Sequence, residues 1–336
     1  MIVLVTGSTG LVGSHICRQL LAQGHHVRAL VRSVQRGEAL FPAGHANLQW
    51  VEGDITDPLS VQRALLDCEA VVHAAAGTPM QIESREQLFA VNVGGVKHVI
   101  DAALDAGIKH IVYVSSITAI FDPDGTKVTA DAEPVPSRMP YGQSKVEAEH
   151  YLRAKQAGGA PIAILYPGGV LGPDDPGLSD SCKAIKHRIE NGFRIFGDGG
   201  MQYVDVRDLA TMACALLQRS TPGRYLLPGV YASWTEQADL IEAVSGATLE
   251  RVPAQGWKLR LLGRLIDVVR VFKRVDAPIS GETMRYATLW PNIQNTPALE
   301  ELGVELRPLR ETFEDTLRAM VRDGHLTGQQ CPRLAG

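Results

Sequence analysis

Short apolar runs alternate along the chain with stretches of helical apolar spacing. The first run, Ile2-Val3-Leu4-Val5, is short and β-branched enough for a buried strand. Leu11, Ile16, Leu20 and Leu21 follow at roughly helical spacing, Gly24 stops that helix, and His25 to Val31 reads as a second strand. Leu48 to Glu52 is a third strand. Asp57-Pro58 opens a helix with Leu59, Val61, Ala64, Leu65 and Leu66 as its apolar positions. Ala70 to Ala75 is a fourth strand, a long helix runs from about Ser84 to Ala106 with Asn92 near its middle, and Gly107 ends it. His110 to Ser115 is a fifth strand, a helix starts near Pro140 and Tyr141, and Pro161 to Leu165 is a sixth strand. Strands alternating with helices predict an α/β fold: a doubly wound parallel sheet that takes its ligands at the carboxyl ends of the strands.

Beyond Tyr166-Pro167-Gly168-Gly169 the pattern weakens. Gly192 to Gly200 reads as turn-rich, Tyr203 to Val206 as a short strand, Asp208 to Leu217 as a helix and Arg224 to Leu227 as one more strand. Ser233-Trp234-Thr235-Glu236 is a capping box for a helix ending at Gly246. Trp257 to Val275 is strongly apolar and interleaved with Lys258, Arg260, Arg264, Arg270, Lys273 and Arg274 against the single acid Asp267. It reads either as a lobe helix covering a pocket or a dimer contact, or as an interfacial helix making peripheral contact with an anionic membrane.

The turn after the first run carries the first chemical signal: Thr6-Gly7-Ser8-Thr9-Gly10-Leu11-Val12-Gly13. Between a strand and a helix, Gly7 permits a tight turn, Gly10 a close approach to a pyrophosphate and Gly13 close helix–strand packing. The pyrophosphate would rest on the positive end of the helix dipole, held by free backbone N–H groups. Ordinary turn glycines are the plain alternative. The expected organisation is a Rossmann-like dinucleotide-binding domain over 1–170 with return segments about 201–245. A smaller substrate lobe spans 171–200 and 246–326, and a mobile tail covers 327–336.

Composition narrows the class without changing this outline. The 336 residues, 45% hydrophobic with a net charge of −4, fit a folded α/β domain with a second lobe and exclude electrostatic nucleic-acid binding. Cys17, Cys68, Cys182, Cys214 and Cys331 are scattered and odd in number, which suits a reducing compartment; neither a signal peptide nor a spanning segment is visible, so cytoplasm is the expectation. No metal-ligand spacing stands out.

Tyr141-Gly-Gln-Ser-Lys145 places a phenol and an ammonium on one helix face. Alone the spacing is common and suits a solvated face. A lysine beside tyrosine lowers a phenol pKa that starts near about 10. Ser116, at the carboxyl end of the fifth strand, can donate to a substrate oxygen as charge develops on it. Taken with the glycine turn, residues 1–210 resemble the extended short-chain dehydrogenase/reductases of the NAD-dependent epimerase/dehydratase superfamily, nearest to its dihydroflavonol reductase-like and 3β-hydroxysteroid dehydrogenase-like members. The resemblance implies Tyr141 as general acid–base, and Lys145 as holder of the nicotinamide ribose and depressor of the tyrosine pKa. It makes Ser116 rather than Ser115 the family serine. It also implies cofactor contacts from Gly7, Thr9, Gly10, Leu11, Val12 and Gly13, from Asp54 and Ile55 at the adenine, and from Ala74, Ala75 and Ala76 beneath the cofactor. Pro167, Gly168 and Val170 would lie beside the nicotinamide. Asn92 matches a family asparagine or is a buried structural amide, Asp205 and Asp208 match a structural return to the core, and family habit implies a homodimer.

Two departures refine this. The second strand ends in Val31 followed by Arg32-Ser33, where NAD-preferring members carry an acid; Arg32, assisted by Arg36, suits the 2′-phosphate of NADP better than NAD. Met201 stands where sugar epimerases carry a diphosphate-gripping arginine, although Arg188 or Arg194 could substitute, and Ile117 and Thr118 replace the acids of sugar dehydratases. The expected function is hydride transfer between nicotinamide and a ketone, aldehyde or secondary alcohol in a largely apolar pocket drawn from Ile117–Met139 and the small lobe. A nucleotide-sugar epimerase and a non-catalytic dinucleotide sensor are the competing readings.

Overall fold

The computed structural model describes every residue except 79, 83, 123–127, 198, 274–279, 295 and 336. Parts of the Ala76–Pro79 and Ile117–Met139 loops, and Arg274 and Val275 of the apolar basic stretch, therefore lie outside the described residues. In chain order the elements are β1 (Ile2–Thr6), α1 (Leu11–Ala22), β2 (His26–Val31), α2 (Val34–Leu40), β3 (Leu48–Glu52), α3 (Pro58–Leu65), β4 (Ala70–His73) and α4 (Arg85–Phe89). A π-helical turn at Ala90–Gly94 leads into α5 (Gly95–Asp105), β5 (His110–Val114), α6 (Pro140–Ala157), β6 (Ile162–Pro167) and β7 (Gly169–Leu171). Next come α7 (Asp180–Asn191), β8 (Phe193–Phe196), β9 (Gly200–Asp205), α8 (Val206–Arg219), β10 (Gly223–Leu227), β11 (Val230–Ser233) and α9 (Trp234–Ser245). The chain closes with β12 (Arg251–Ala254), α10 (Gly256–Phe272), α11 (Gly281–Leu289), α12 (Ala298–Leu302) and α13 (Leu309–Arg322).

Seven strands form one sheet in the order β10-β6-β5-β4-β1-β2-β3, parallel at every pairing. The order reverses between β1 and β4, the switch point at which such sheets open a ligand crevice. Helices cover both faces: α3, α5 and α6 contribute to one apolar core, and α1 packs with α8 in the other. Parallel strands buried on both sides are continuously apolar, as in β1 and β4. A third core gathers Phe193, Trp234, Ile241, Phe313 and Leu317 around β7-β9-β11 and the β8-β12 pair. Asp205, the N-cap of α8, bonds Arg207 and the Thr312 hydroxyl, while Asp208 accepts from the Arg307 backbone; both tie α13 and its lead-in to α8.

Several expectations need correction. Leu59 and Leu66 are exposed, because α3 turns only Val61, Ala64 and Leu65 inward. The fourth strand ends at His73, so Ala74–Ala76 leave the sheet. Gly192–Gly200 holds β8, whose four residues pair with β12. The tail is packed: Cys331 and Leu334 are buried in the third core and Arg333 covers Gly246. None of the cysteines is disulfide-bonded, and four of the five are buried. No helix among the described residues is long and apolar enough to cross a membrane.

Candidate active site at the sheet switch point

The turn from β1 to α1 is shaped by contacts that exclude side chains. Gly7 has φ +72°, and a Cβ there would stand 2.7 Å from the Ala75 nitrogen. A Cβ on Gly13 would stand 2.2 Å from the Gly7 carbonyl oxygen. Gly10 caps α1 without any side chain on its amides, Thr9 is half-buried, Gly10 exposed, Leu11 buried and Val12 half-buried. The Ser8 hydroxyl is buried with no partner among the described residues. An open helix N-terminus, a cradle that a methyl would fill and an unspent hydroxyl fit the pyrophosphate of a dinucleotide.

Flanking residues converge on the same edge. Val31, at the end of β2, is buried opposite Glu52 of β3; exposed Arg32 follows, and Ser33 caps α2. Asp54 is half-buried and its Oδ1 accepts from the backbone and hydroxyl of Thr56 at 2.8 Å each. Ile55 is buried and packs on Gly95. Ala74 and Ala75 are half-buried and Ala76 exposed. Gly168 lies against Pro228, where a Cβ would be 2.3 Å from its carbonyl oxygen, so Pro167 passes into β7 and Val170 pairs with Val204.

Asn92 is fully bonded inside the protein. Its amide accepts from the Gly77 N–H at 2.7 Å and donates to the Gly77 carbonyl at 3.0 Å and the Ser144 hydroxyl at 2.9 Å. It clamps the loop after β4 to α6, the buried structural amide of the two readings.

Pro140 starts α6 and places Tyr141 in its first turn. Ser116 lies near enough to the phenol to favour its ionised form, and donates to the Thr118 hydroxyl at 3.1 Å. Ser115, by contrast, turns to buried Glu149 at 3.5 Å, so Ser116 is the serine at Tyr141. The expected depression of the tyrosine pKa is not found: burial pushes the Tyr141 phenol up to about 12, nearby Ser116 opposes this and Asp180 adds to it. Lys145 donates to the Tyr113 hydroxyl at 3.3 Å, and its Nζ stands 5.8 Å from the Tyr141 ring centroid. Burial pulls the Lys145 ammonium down to about 8, opposed by Glu149 one turn on.

Sequence reasoning missed the groups behind Lys145. Glu149 accepts from Arg153 at 2.7 Å and from the Tyr166 hydroxyl. His73 stacks on Tyr113 at 5.6 Å, bonds the Thr6 hydroxyl at 2.6 Å, and burial lowers its pKa to about 3. A histidine inside an apolar strand and a glutamate one turn after Lys145 were the available signals.

Beside the start of α6, a cavity of about 370 Å³ opens between the 117–139 loop, α10 and α11. Arg138, Arg264, Asp267, Glu282 and Arg285 line it with Tyr286 and Val135, and none of Ser116, Tyr141 or Lys145 does. Met201 packs on Gly169. Arg188 bonds Tyr203 and Gln237 at 3.2 Å each and lies over Phe193 and Trp234; Arg194 is exposed.

A sequence model of the NAD dependent epimerase/dehydratase family matches residues 3–227. The sterol demethylase protein B of Methylococcus capsulatus is 27% identical over 322 residues, which cover 94% of this chain and 97% of that protein. A Synechocystis sp. protein named for dihydroflavonol 4-reductase is 26% identical over 336 residues, 97% of this chain and 96% of that one. The structure of a UDP-glucose-4-epimerase from Stenotrophomonas maltophila with bound NAD superposes with a TM-score of 0.76, at 23% identity over 97% of this chain and 99% of that one, and shares its fold. The seven-stranded switch-point sheet, the methyl-excluding turn and the match over two thirds of the chain agree, and the chain belongs to the NAD dependent epimerase/dehydratase family as an NAD(P)-dependent enzyme of the extended short-chain dehydrogenase/reductase type.

Proposed function

We propose that the protein is an NADP-dependent oxidoreductase acting on a ketone or aldehyde, or the corresponding secondary alcohol, of a largely apolar small molecule. The observation that carries this reading is the gathering of Ser116 and Lys145 about the buried Tyr141 phenol, at the carboxyl edge of the sheet. Gly7, Thr9, Gly10, Leu11, Val12 and Gly13 would hold the pyrophosphate, Asp54 and Ile55 the adenine, and Ala74, Ala75 and Ala76 would run beneath. Lys145 would hold the nicotinamide ribose, with Pro167, Gly168 and Val170 beside the nicotinamide. When bound, the nicotinamide gives or takes the hydride. Tyr141 gives its proton to the substrate oxygen during reduction and takes it back during oxidation, and Ser116 donates a hydrogen bond to the same oxygen. Burial that keeps Tyr141 protonated suits the proton-donating direction.

Exposed Arg32 after the non-acidic Val31 favours a 2′-phosphate, and Arg36 on α2 stands close in sequence to assist. Nucleotide-sugar chemistry is less well supported, since Arg188 is committed to Tyr203, Gln237 and two aromatic rings, and Met201 carries no charge. Thermal melting of the protein with NADPH, NADH or neither tests the reading. A ligand at about 100 times its Kd adds about 2.7 kcal/mol of apparent stability. NADPH is expected to raise the midpoint more than NADH, with the difference lost in Arg32→Ala. An equal or larger rise with NADH would overturn the NADP assignment.

A further inference from the structure

Helix α10 has apolar residues on both sides. Its inward side is mixed, with half-buried Leu259 and Ile266 set among polar or small residues. Arg260 donates to the Thr288 hydroxyl at 2.8 Å, Asp267 accepts from the Gly281 N–H at 2.9 Å, and a Cβ on Gly263 would lie 2.5 Å from the Ser280 carbonyl oxygen. Its outward side is apolar. Trp257, Leu261, Leu265, Val268 and Phe272 recur at three- and four-residue spacing and are all exposed, Trp257 by 58% and Phe272 by 85%. Leu262 and Val269 widen the same face. A helix on a water-facing surface normally presents the opposite arrangement. An apolar patch of this continuity marks a contact with something other than water.

Charge names the occupant. Lys258, Arg264 and Lys273 are exposed along this helix, and the Lys258 ammonium lies 5.6 Å from the Trp257 ring centroid. The whole chain has net charge −4, so the cationic character is local. A second copy docked face to face would bring these cations together along the rim, whereas an anionic surface would neutralise them. Seventeen residues give a helix about 26 Å long that no criterion allows to span a bilayer, so it would lie in the headgroup plane.

We propose that α10 docks the protein on an anionic phospholipid surface, its apolar face among the upper acyl chains and Lys258, Arg264 and Lys273 at the headgroups. Arg264 and Asp267 also line the charged cavity, together with Arg138. Neighbouring Ser137 bonds Glu282 and packs on Gly142, the residue after Tyr141. Docking thus brings the bilayer to the side of the protein where Ser137 meets the start of α6, next to Tyr141, and names the substrate as an apolar molecule dissolved in the membrane, a corollary that rests on the oxidoreductase reading.

The test is flotation of the full-length protein with vesicles of phosphatidylcholine alone or containing one-third phosphatidylglycerol, alongside NADPH melting. The wild type is expected to float with the anionic vesicles and to be released by added salt. The double variant Leu265→Asp/Val268→Asp is expected to lose binding roughly tenfold while keeping its NADPH-dependent rise in melting temperature. Equal flotation on neutral vesicles, or flotation of the double variant like wild type, would overturn the proposal. So would a dimer in solution that the double variant dissolves, with no vesicle binding, since the face would then belong to a second copy. Anionic flotation without any cofactor-dependent melting would uphold the docking and sink the oxidoreductase reading instead.

Discussion

At Lys145 two opposing effects meet: burial discharges the ammonium at a pH of about 8, and Glu149 four residues on favours its charge. Because the folded value lies below the ordinary 10.5, the charged lysine costs stability below about 8, and that cost is relieved as pH rises toward 10.5. Activity should move the other way. Reduction, measured as kcat/KM, is expected to fall as pH rises through about 8, when the ammonium beside Tyr141 is lost, and Tyr141→Phe should lower turnover by about 100-fold or more with unchanged melting. A flat profile through that range would remove the charge on Lys145 from the mechanism, and normal turnover in Tyr141→Phe would remove Tyr141. That Tyr141 and Lys145 share a face of α6 and that Ser116 follows β5 was legible, because a helix fixes a four-residue spacing and a strand fixes which end is open. The direction of the tyrosine shift was not legible. It depends on how much low-dielectric protein surrounds the phenol, and on Lys145 spending a hydrogen bond on Tyr113.

Among the elements, the helix expected over Ser84–Ala106 runs unbroken from Arg85 to Asp105 but widens into a π turn at Ala90–Gly94. Such single-turn insertions often mark functional sites, and this one carries Asn92 to the Gly77 loop and Ser144 of α6. Replacing Asn92 with Ala strands the Gly77 N–H and carbonyl in a buried place and should cost about 2 kcal/mol in denaturant unfolding. Asn92→Asp, which sets a buried carboxylate oxygen against the Gly77 carbonyl, should cost at least as much, and losses below about 0.5 kcal/mol in both variants would deny the clamp. Periodicity could not show the π turn, since one extra residue leaves the apolar pattern on either side intact. The three- and four-residue strands β7, β8, β11 and β12 also escaped reading, because each is too short to alternate and glycines border them. For α10 the sequence showed a basic apolar helix, while which side faces water followed only from its packing on α11.

Across the whole molecule, the sheet was legible from its continuous apolar strands and the third core was not. That core is assembled from residues as distant as Leu171, Trp234, Phe313 and Leu334, and the period of one segment does not show which distant segment it packs against. The packed tail is the clearest case, since a polar-looking terminus buries Cys331 and Leu334 and sets Arg333 over Gly246. Deleting residues 327–336 should therefore lower stability by about 3 kcal/mol, read as a fall in melting temperature, where an idle tail would leave it unchanged. The same packing orders events in time. A chain made from its N-terminus can pair β1 with β2 early, but β4 arrives some forty residues after β2 and β10 only at Gly223–Leu227. The third core must wait longer still, so Phe193 and Trp234 stay without their last neighbours until Phe313, Leu317, Cys331 and Leu334 have also left the ribosome.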